Sequence, residues 1–162
     1  MIRELNMDFQ RYLLDTKNPL IIFIKFFHNP GMFFSIFYRI ERYLLINSNL
    51  VLKFFGVIFY PLYFFITYYI FSYHIEPFAK IGGGLFLHNR DIVITDNATI
   101  GSNLSIMGQT VIGTNFESEN VSINIGDNVA IGAGAKIIAT NKIYIADNVT
   151  IGANAVVTKD IN

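Results

Sequence analysis

The sequence predicts a parallel β-helix preceded by an α-helical N-terminal region, and three observations support this prediction. From Ile94 onward, an apolar residue that is almost always Ile recurs in units of six residues. The next residue is usually Gly, and the fourth is Asn or Gly, which tolerate the positive φ of a tight turn. Nearly all aromatic residues lie before this repeat, between residues 8 and 73. Hexapeptide periodicity is typical of a parallel β-helix, and the aromatic half requires a different structure.

Composition excludes several classes of function. The formal net charge of the 162-residue chain is zero, which gives no electrostatic basis for binding nucleic acid. The absence of Cys excludes disulfides, thiol catalysis and thiolate metal sites, and it fits a reducing compartment. His28, His74 and His88 are too scattered to suggest a metal cluster, so we expect no metal cofactor.

Residues 1–74 are predicted to form a hydrophobic helical region. Proline, glycine and asparagine residues interrupt this region and divide it into four segments. The predicted helices are 4–16, 18–28, 31–46 and 49–72, the last kinked at Pro61. The N-terminus shows no signal-peptide pattern, because its first residues are polar and acidic.

The run from Phe54 to Ser72 contains no charged residue and reaches the usual length of a membrane span. Two interpretations stay open. The helices could associate with a membrane, where Pro61 and five Tyr residues up to Tyr73 favour a shallow placement over a straight span. Alternatively, the same side chains could be buried in an oligomer interface.

Residues 75–162 are predicted to form the β-helix domain. Three hexads make one triangular coil of about eighteen residues, and successive coils stack about 4.8 Å apart. Extra residues are expected near Glu117–Val121, near Ile143 and Tyr144, and between Leu87 and Ile94. Such irregularities mark candidate functional positions. The predicted inward columns are Ile75, Ile94, Ile112, Ile131 and Ile151; Ile81, Ile100, Ile137 and Val157; and Leu87, Ile106, Ile125 and Ile145.

His88 is the candidate general base. It follows the inward Leu87 and precedes an irregularity, so its side chain should project from the coil. A neutral imidazole can take a proton from a sugar or serine hydroxyl as the oxygen attacks a thioester. His74 and Glu76 share one face of the first strand, and either could orient the ring of His88. The alternatives are a surface histidine at position 88 and a surface pair at the domain junction.

A column of small residues is the candidate cofactor groove. In the predicted register, Gly113, Gly132 and Gly152 stack on one edge of the prism. The residues that follow them, Thr114, Ala133 and Ala153, would leave a shallow groove for an extended pantetheine arm. The alternative is that tight turns simply accept small residues.

Several motifs carry a family resemblance. They are Ala79–His88 (AKIGGGLFLH), Asp91–Thr95 (DIVIT), Ile125–Lys136 (IGDNVAIGAGAK) and, in the helical region, Tyr38–Ile40 (YRI). With these motifs, the segment from Glu76 to Ile161 resembles the hexapeptide-repeat acyltransferases. It is most similar to the serine acetyltransferase branch that includes colanic-acid and other exopolysaccharide O-acetyltransferases.

The resemblance implies a left-handed β-helix, a homotrimer with active sites between neighbouring prisms, and acetyl-CoA as co-substrate. It places the catalytic histidine at His88 and contacts to CoA at Thr114, Asn115, Ala133 and Ala153. The chain departs from the family at four positions. It has one residue fewer between Leu87 and Ile92, so the catalytic position could fall on Asn89, although Asn cannot act as a base.

The other three departures concern the residues around the catalytic histidine and the C-terminus. The carboxylate that usually orients this histidine aligns with His74, which leaves Glu76 as a substitute. A second active-site histidine is absent from residues 116–120, and the sequence ends at Asn162 before the usual Gly-Asn-Pro-Ala tail.

These observations predict an acetyl-CoA-dependent O-acetyltransferase that modifies a hydroxyl of a bacterial-type polysaccharide or its lipid-linked precursor. Capsule, exopolysaccharide and O-antigen are the polymers considered, and the expected location is the cytoplasmic face of the inner membrane. The missing loop histidine and the short apolar helical region favour a glycan acceptor. The alternatives are serine O-acetyltransferase of cysteine biosynthesis and a non-catalytic trimeric scaffold.

Overall fold

A layer of α-helices precedes a stack of short parallel strands in the computed structural model, which describes residues 1–13, 16, 18–115 and 121–162. The helices are α1 (Ile2–Leu13), α2 (Pro19–His28), α3 (Pro30–Ile46) and α4 (Leu50–Phe64), and α4 continues as a π-helix over Phe65–Ile70.

Asparagine and proline fix where these helices begin. The side chains of Asn18 and Asn49 accept hydrogen bonds from the backbone N–H groups of Leu20 (3.0 Å) and Val51 (2.8 Å). Such N-caps satisfy donors that the first turn leaves unpaired. α4 runs through Pro61, where a kink was predicted, and changes to a π-helix from Phe65.

The strands form three parallel sheets, each made of every third strand, so the chain winds around a three-sided prism. This arrangement confirms the predicted parallel β-helix. The first sheet contains β1 (Tyr73–Ile75), β4 (Ile92–Ile94), β7 (Val111–Thr114), β10 (Lys136–Ala139) and β13 (Val156–Val157). The second contains β2 (Lys80–Ile81), β5 (Ala98–Ile100), β8 (Ser122–Ile125) and β11 (Lys142–Ile145). The third contains β3 (Phe86–Leu87), β6 (Ser105–Ile106), β9 (Ala130–Ile131) and β12 (Thr150–Ile151).

The predicted inward columns are correct up to Ile112 and wrong after it. Ile112 pairs with Ile137 and not with Ile131, so this coil is longer than the repeat suggests. The extra residues lie in the connection between β7 and β8, and residues 116–120 of that connection lie outside the described part of the chain. The observed columns are Ile75, Ile94, Ile112, Ile137 and Val157; Ile81, Ile100, Ile125 and Ile145; and Leu87, Ile106, Ile131 and Ile151.

Asparagines stabilise one edge of the prism. Asn103, Asn128 and Asn148 all have positive φ, which Asn adopts at low cost. Their side-chain amides form a ladder, with hydrogen bonds of 3.0 Å from Asn103 to Asn128 and 3.2 Å from Asn128 to Asn148. The fourth position of the hexad therefore sets both the turn and a contact between coils.

Side chains of α1 and α3 cover the open end of the β-helix. The strands of the first coil have a neighbouring strand on one side only, and their free backbone groups need other partners. The Tyr38 hydroxyl donates to the carbonyl oxygen of Ala79 (2.6 Å). The Tyr12 hydroxyl accepts from the N–H of Leu87 (2.8 Å). Because these side chains replace a strand, the helical layer completes the first coil.

A buried ion pair is the centre of this cover. Arg39 (2% exposed) and Asp8 (fully buried) are 3.1 Å apart, and Arg39 also donates to the carbonyl oxygens of Ile81 and Gly82. One Asp8 oxygen accepts from the N–H groups of Gly84 and Leu85, each at 2.8 Å. Burial raises the pKa of Asp8, while the hydrogen bond and charge of Arg39 lower it.

The helical region and the β-helix share one core. Phe34, Tyr38 and Tyr63 pack in the same cluster of buried residues as the inward Ile columns. The predicted boundary between residues 1–74 and 75–162 therefore marks a change of secondary structure within a continuous core.

The outer faces of α2 and α4 are apolar and exposed. The exposed fraction is 61% for Phe23, 64% for Phe54 and 66% for Val57. By length and composition, the continuous helix Leu50–Ile70 could cross a membrane. Its most apolar stretch has a mean hydropathy of 1.9, and only 17% of that stretch is buried within the protein. Taken together, α2 and α3 are also long and apolar enough, although they are bent by 82° relative to each other.

We predict that Arg39→Met lowers the free energy of unfolding by about 3–5 kcal/mol, because it leaves the Asp8 carboxylate and two carbonyl oxygens buried without their partner. Urea unfolding followed by circular dichroism measures the change. Arg3→Met is the matched control, because Arg3 is exposed on α1, the helix that carries Asp8, and its loss should change stability by less than about 0.5 kcal/mol. Equal unfolding midpoints for Arg39→Met and the wild type would contradict the prediction.

Candidate active site

His88 projects from the corner that joins the third sheet to the first. Its backbone N–H donates to the carbonyl oxygen of Ile106 (3.0 Å), which continues the ladder of β3. Leu87 points into the core, so the His88 side chain is directed outward and is exposed. The imidazole packs edge-on against Phe86, with ring centroids 4.3 Å apart. The predicted projection of His88 is therefore observed.

Partial burial of the ring and one nearby charge favour the neutral form of the His88 imidazole. Partial burial lowers the pKa of His88, and the positive charge of Arg11 lowers it further. The Arg11 guanidinium lies 5.5 Å from the centroid of the Phe86 ring and donates to the Ser105 hydroxyl (2.6 Å). A neutral imidazole at pH 7 is the protonation state that a general base requires. Sequence analysis missed Arg11, because nothing in the repeat indicates a contact with a helix 77 residues earlier.

Ala133 and Ala153 lie on the same edge of the prism as His88. Backbone hydrogen bonds between coils stack His88, Met107 and Gly132 in one column. Ala133 follows Gly132 in the chain, and Ala153 stacks on Ala133, so both belong to the next column of the same corner. Gly132 has no space for a side chain, because a Cβ there would lie 2.6 Å from the backbone nitrogen of Ala153. The turns of successive coils therefore pack tightly along this edge.

A depression of about 250 Å³ lies on this edge next to His88. Gly108 has no space for a side chain, because a Cβ there would lie 2.5 Å from the carbonyl oxygen of Arg90. The depression is lined by Asn89, Arg90, Asp91, Gly108, Gln109 and Ala133. Sequence analysis identified Ala133 and missed Gly108 and Gln109, which have no distinctive place in the repeat.

Thr114 and Asn115 do not belong to this edge, which corrects the predicted groove of Thr114, Ala133 and Ala153. Thr114 ends β7 opposite Ala139, and the Asn115 N–H donates to the Ala139 carbonyl oxygen (3.0 Å). Both therefore lie at the corner between the first and second sheets. The prediction stacked Thr114 with Ala133 and Ala153 because it underestimated the length of the connection after β7.

His74 and Glu76 line a separate cavity. The His74 ring stacks on Tyr68, with centroids 3.9 Å apart and an interplanar angle of 10°. Glu76 follows β1 at the end of the strand away from the His88 corner and accepts a hydrogen bond from the N–H of Asp96 (3.3 Å). In the described part of the chain, no hydrogen bond joins His88 to His74 or Glu76. Their predicted role in orienting His88 has no support from contacts within one protomer.

A further cavity, of about 240 Å³, lies between α3 and α4. Glu41 lines it together with apolar side chains, and one of its oxygens is buried without a hydrogen-bond partner in the described structure. Burial raises the pKa of Glu41 to about 7. All lining residues come from these two helices, so the cavity contributes nothing to the corner that carries His88.

Known proteins with similar sequence include serine acetyltransferases. Those from Staphylococcus aureus and Staphylococcus epidermidis are 46% identical over 71 residues, which is 43% of this chain and 33% of theirs. The matched region thus spans about a third of the length of these relatives. No protein-family model matches the chain.

Similar solved structures also include serine acetyltransferases. The Neisseria gonorrhoeae enzyme in complex with serine has a TM-score of 0.77 and 26% identity, and covers 99% of this chain and 63% of its own. A serine acetyltransferase in complex with CoA has a TM-score of 0.75 and 26% identity, again covering 99% of this chain and 63% of its own. The chain resembles the serine acetyltransferase branch of the hexapeptide-repeat acyltransferases. The β-helix is left-handed, as it is in these neighbours. The finer resemblance to exopolysaccharide O-acetyltransferases stays a prediction.

We predict that Arg11→Gln raises the pKa of His88, because removing a positive charge beside the imidazole favours the imidazolium. NMR titration of the His88 ring protons measures this pKa, with His88→Ala used to assign the signals. Arg3→Gln is the control, since Arg3 is an exposed cation on the same helix. A pKa that is unchanged in Arg11→Gln would show that the two groups do not interact.

Proposed function

We propose that this chain is an acetyl-CoA-dependent O-acetyltransferase with His88 as its general base. The observation that carries the proposal is the placement of a neutral, projecting imidazole on the edge that also carries Ala133 and Ala153. The similarity to a serine acetyltransferase solved with CoA supports acetyl-CoA as co-substrate.

The chemistry follows from this placement. His88 accepts the proton of the acceptor hydroxyl as its oxygen attacks the thioester carbonyl carbon. The tetrahedral intermediate collapses with cleavage of the carbon–sulfur bond, and the imidazolium returns the proton to the sulfur of CoA. The groove beside Ala133 and Ala153 would hold the pantetheine arm through backbone N–H and carbonyl groups.

L-Serine is the acceptor that the comparisons support best. The similar proteins are named serine acetyltransferases, and one of the similar structures contains serine. On this assignment, the chain would act in the cytoplasm to form O-acetylserine.

A glycan hydroxyl is the second candidate, and two observations favour it. His74 and Glu76 line an aromatic cavity beside β1, which is larger than a serine side chain requires. The exposed apolar faces of α2 and α4 would also bring the enzyme to a lipid-linked acceptor at the cytoplasmic face of the inner membrane. The acceptor would then be a precursor of capsule, exopolysaccharide or O-antigen.

A homotrimer is the assembly that we propose. Thr114 and Asn115 lie on a different edge from His88, so they could contact the same CoA only from a neighbouring protomer. Packing three prisms side by side would place one edge of each protomer against a face of the next. In this arrangement the predicted CoA contacts come from two protomers.

We predict that His88→Ala lowers acetyl transfer by about 10²–10⁴-fold, because it removes the base without touching the Ile core. The assay measures CoA release from acetyl-CoA with L-serine, free sugars and lipid-linked oligosaccharides as acceptors. His28→Ala on α2 is the control. Near-normal activity of His88→Ala would rule out its role, and wild-type protein inactive with every acceptor would favour the scaffold alternative.

Ala133→Trp is predicted to weaken CoA binding at least tenfold, because the indole would fill the groove without entering the core. Isothermal titration calorimetry measures the affinity, and thermal melting verifies the fold. Thr99→Trp, at the exposed middle position of β5 in the second sheet, should bind CoA like the wild type. Normal binding by Ala133→Trp would place the groove elsewhere.

We also propose that the apolar faces of α2 and α4 attach the protein to a membrane surface. Exposed tyrosines, among them Tyr60, Tyr68 and Tyr69, prefer the headgroup region and favour a shallow placement. The competing explanation is that other protomers bury these side chains.

Flotation with liposomes distinguishes these two explanations. We predict that the wild type floats with liposomes and that Val57→Glu reduces the bound fraction, because it places a charge on the apolar face. Val156→Glu is the matched control, since Val156 on β13 is 67% exposed and Val57 is 66% exposed. A protein that purifies as a soluble trimer without detergent and ignores liposomes would overturn the membrane proposal.

A further inference from the structure

The cavity beside β1 has the composition of a binding site. It has a volume of about 200 Å³ and is bounded by the end of α4, the π-helix and the first strand. Aromatic rings, including those of Tyr60 and Tyr68, form most of its wall, and the His74 imidazole and the Glu76 carboxylate supply polar groups. An apolar pocket with a few converging polar groups is the usual form of a small-molecule site.

The walls of this cavity are fixed by hydrogen bonds. The Tyr63 hydroxyl donates to the carbonyl oxygen of Ile75 (2.7 Å), and the Thr67 hydroxyl donates to the carbonyl oxygen of Tyr63 (2.8 Å). Thr67 and Tyr68 belong to the π-helix, a rare structure that occurs frequently at functional sites. The π-helical segment brings Tyr68 flat against His74, so the pocket is formed before any ligand binds.

The polar groups favour a neutral ligand that carries hydroxyls. Burial lowers the pKa of His74, with an opposing effect from the Asp91 carboxylate, so the imidazole can both donate and accept a hydrogen bond. Burial and the neighbouring Asp96 carboxylate raise the pKa of Glu76. The nearby Asp91 and Asp96 carboxylates disfavour an anionic ligand.

We propose that this cavity binds one sugar ring of the acceptor, with the apolar face of the ring on the aromatic wall and its hydroxyls on His74 and Glu76. The inference rests on the glycan alternative of the proposed function. The volume is about seven times the ~30 Å³ that a water molecule occupies in the liquid, which suits a single ring.

The position of the cavity connects it to the corner that carries His88. His74 lies opposite Val93 in the register of β1 and β4, and Val93 also lines the cavity. β4 is the strand that follows the His88 corner. A sugar held here would therefore lie on the face that adjoins this corner. His74 and Glu76 then become specificity-determining residues rather than partners of the base.

The test measures binding separately from catalysis. The probes are methyl glycosides of common hexoses and N-acetylhexosamines, and saturation-transfer NMR with titration gives their affinities. We expect at least one glycoside to bind the wild type. Tyr60→Ala and Glu76→Gln should each lower the affinity for that glycoside at least tenfold. Glu76→Gln keeps the shape of the side chain, so it remains informative if Tyr60→Ala fails to fold. Tyr144→Ala, an exposed tyrosine on β11, should bind like the wild type.

The outcomes separate this inference from the proposed function. If no glycoside binds the wild type, or if binding is the same in Glu76→Gln, the sugar site is overturned, whether or not the protein transfers acetyl groups to L-serine. If a glycoside binds the wild type and Glu76→Gln lowers its affinity, the sugar site is supported even where no acetyl transfer is detected.

Discussion

The cover that α1 and α3 place over the first coil is the interaction on which the rest of the structure depends. A parallel β-helix leaves a row of unpaired backbone groups at its end, and burying them without partners would be costly. Here Asp8 and Arg39 pair with each other and with those backbone groups. Because the ion pair is buried, removing either member would leave an uncompensated charge next to the first strands. The helical layer is therefore part of the β-helix fold and also fixes the coil that carries His88.

The lengthened connection between β7 and β8 decides which residues share an edge. Ile112 pairs with Ile137, so every later residue lies one corner away from the position that a uniform repeat gives it. This shift brings Ala133 and Ala153 into the corner of His88 and leaves Thr114 at another corner. Residues at the same position of successive hexads fall on three different edges of the prism. The register of the coils therefore decides which residues meet in an active site on such a fold.

The first coil presents two chemically different surfaces that adjoin each other. One is the corner where His88 stands beside Phe86 and Arg11, below a groove of small residues. The other is the aromatic cavity of His74 and Glu76, bounded by the helix whose outer face is apolar and exposed. This arrangement would let one end of the protein hold an acceptor while the prism edge holds the acyl donor. The cavity depends on the packing of α4 and the π-helix against β1, whereas the His88 corner depends on Arg11 of α1.

The sequence by itself determined the features that arise from local or periodic interactions. These include the hexad repeat, the turns at Asn and Gly, the helix breaks at Pro19 and Pro30, and the projection of His88 after Leu87. Only the tertiary structure decided the register after Ile112, the buried pair of Asp8 and Arg39, and the partners of His74. These contacts join residues far apart in sequence or follow a connection that breaks the repeat, so no periodic pattern records them. The stacking of His74 on Tyr68 depends on the π-helix, whose extra residue per turn rotates the side chains away from the positions that α-helical spacing gives.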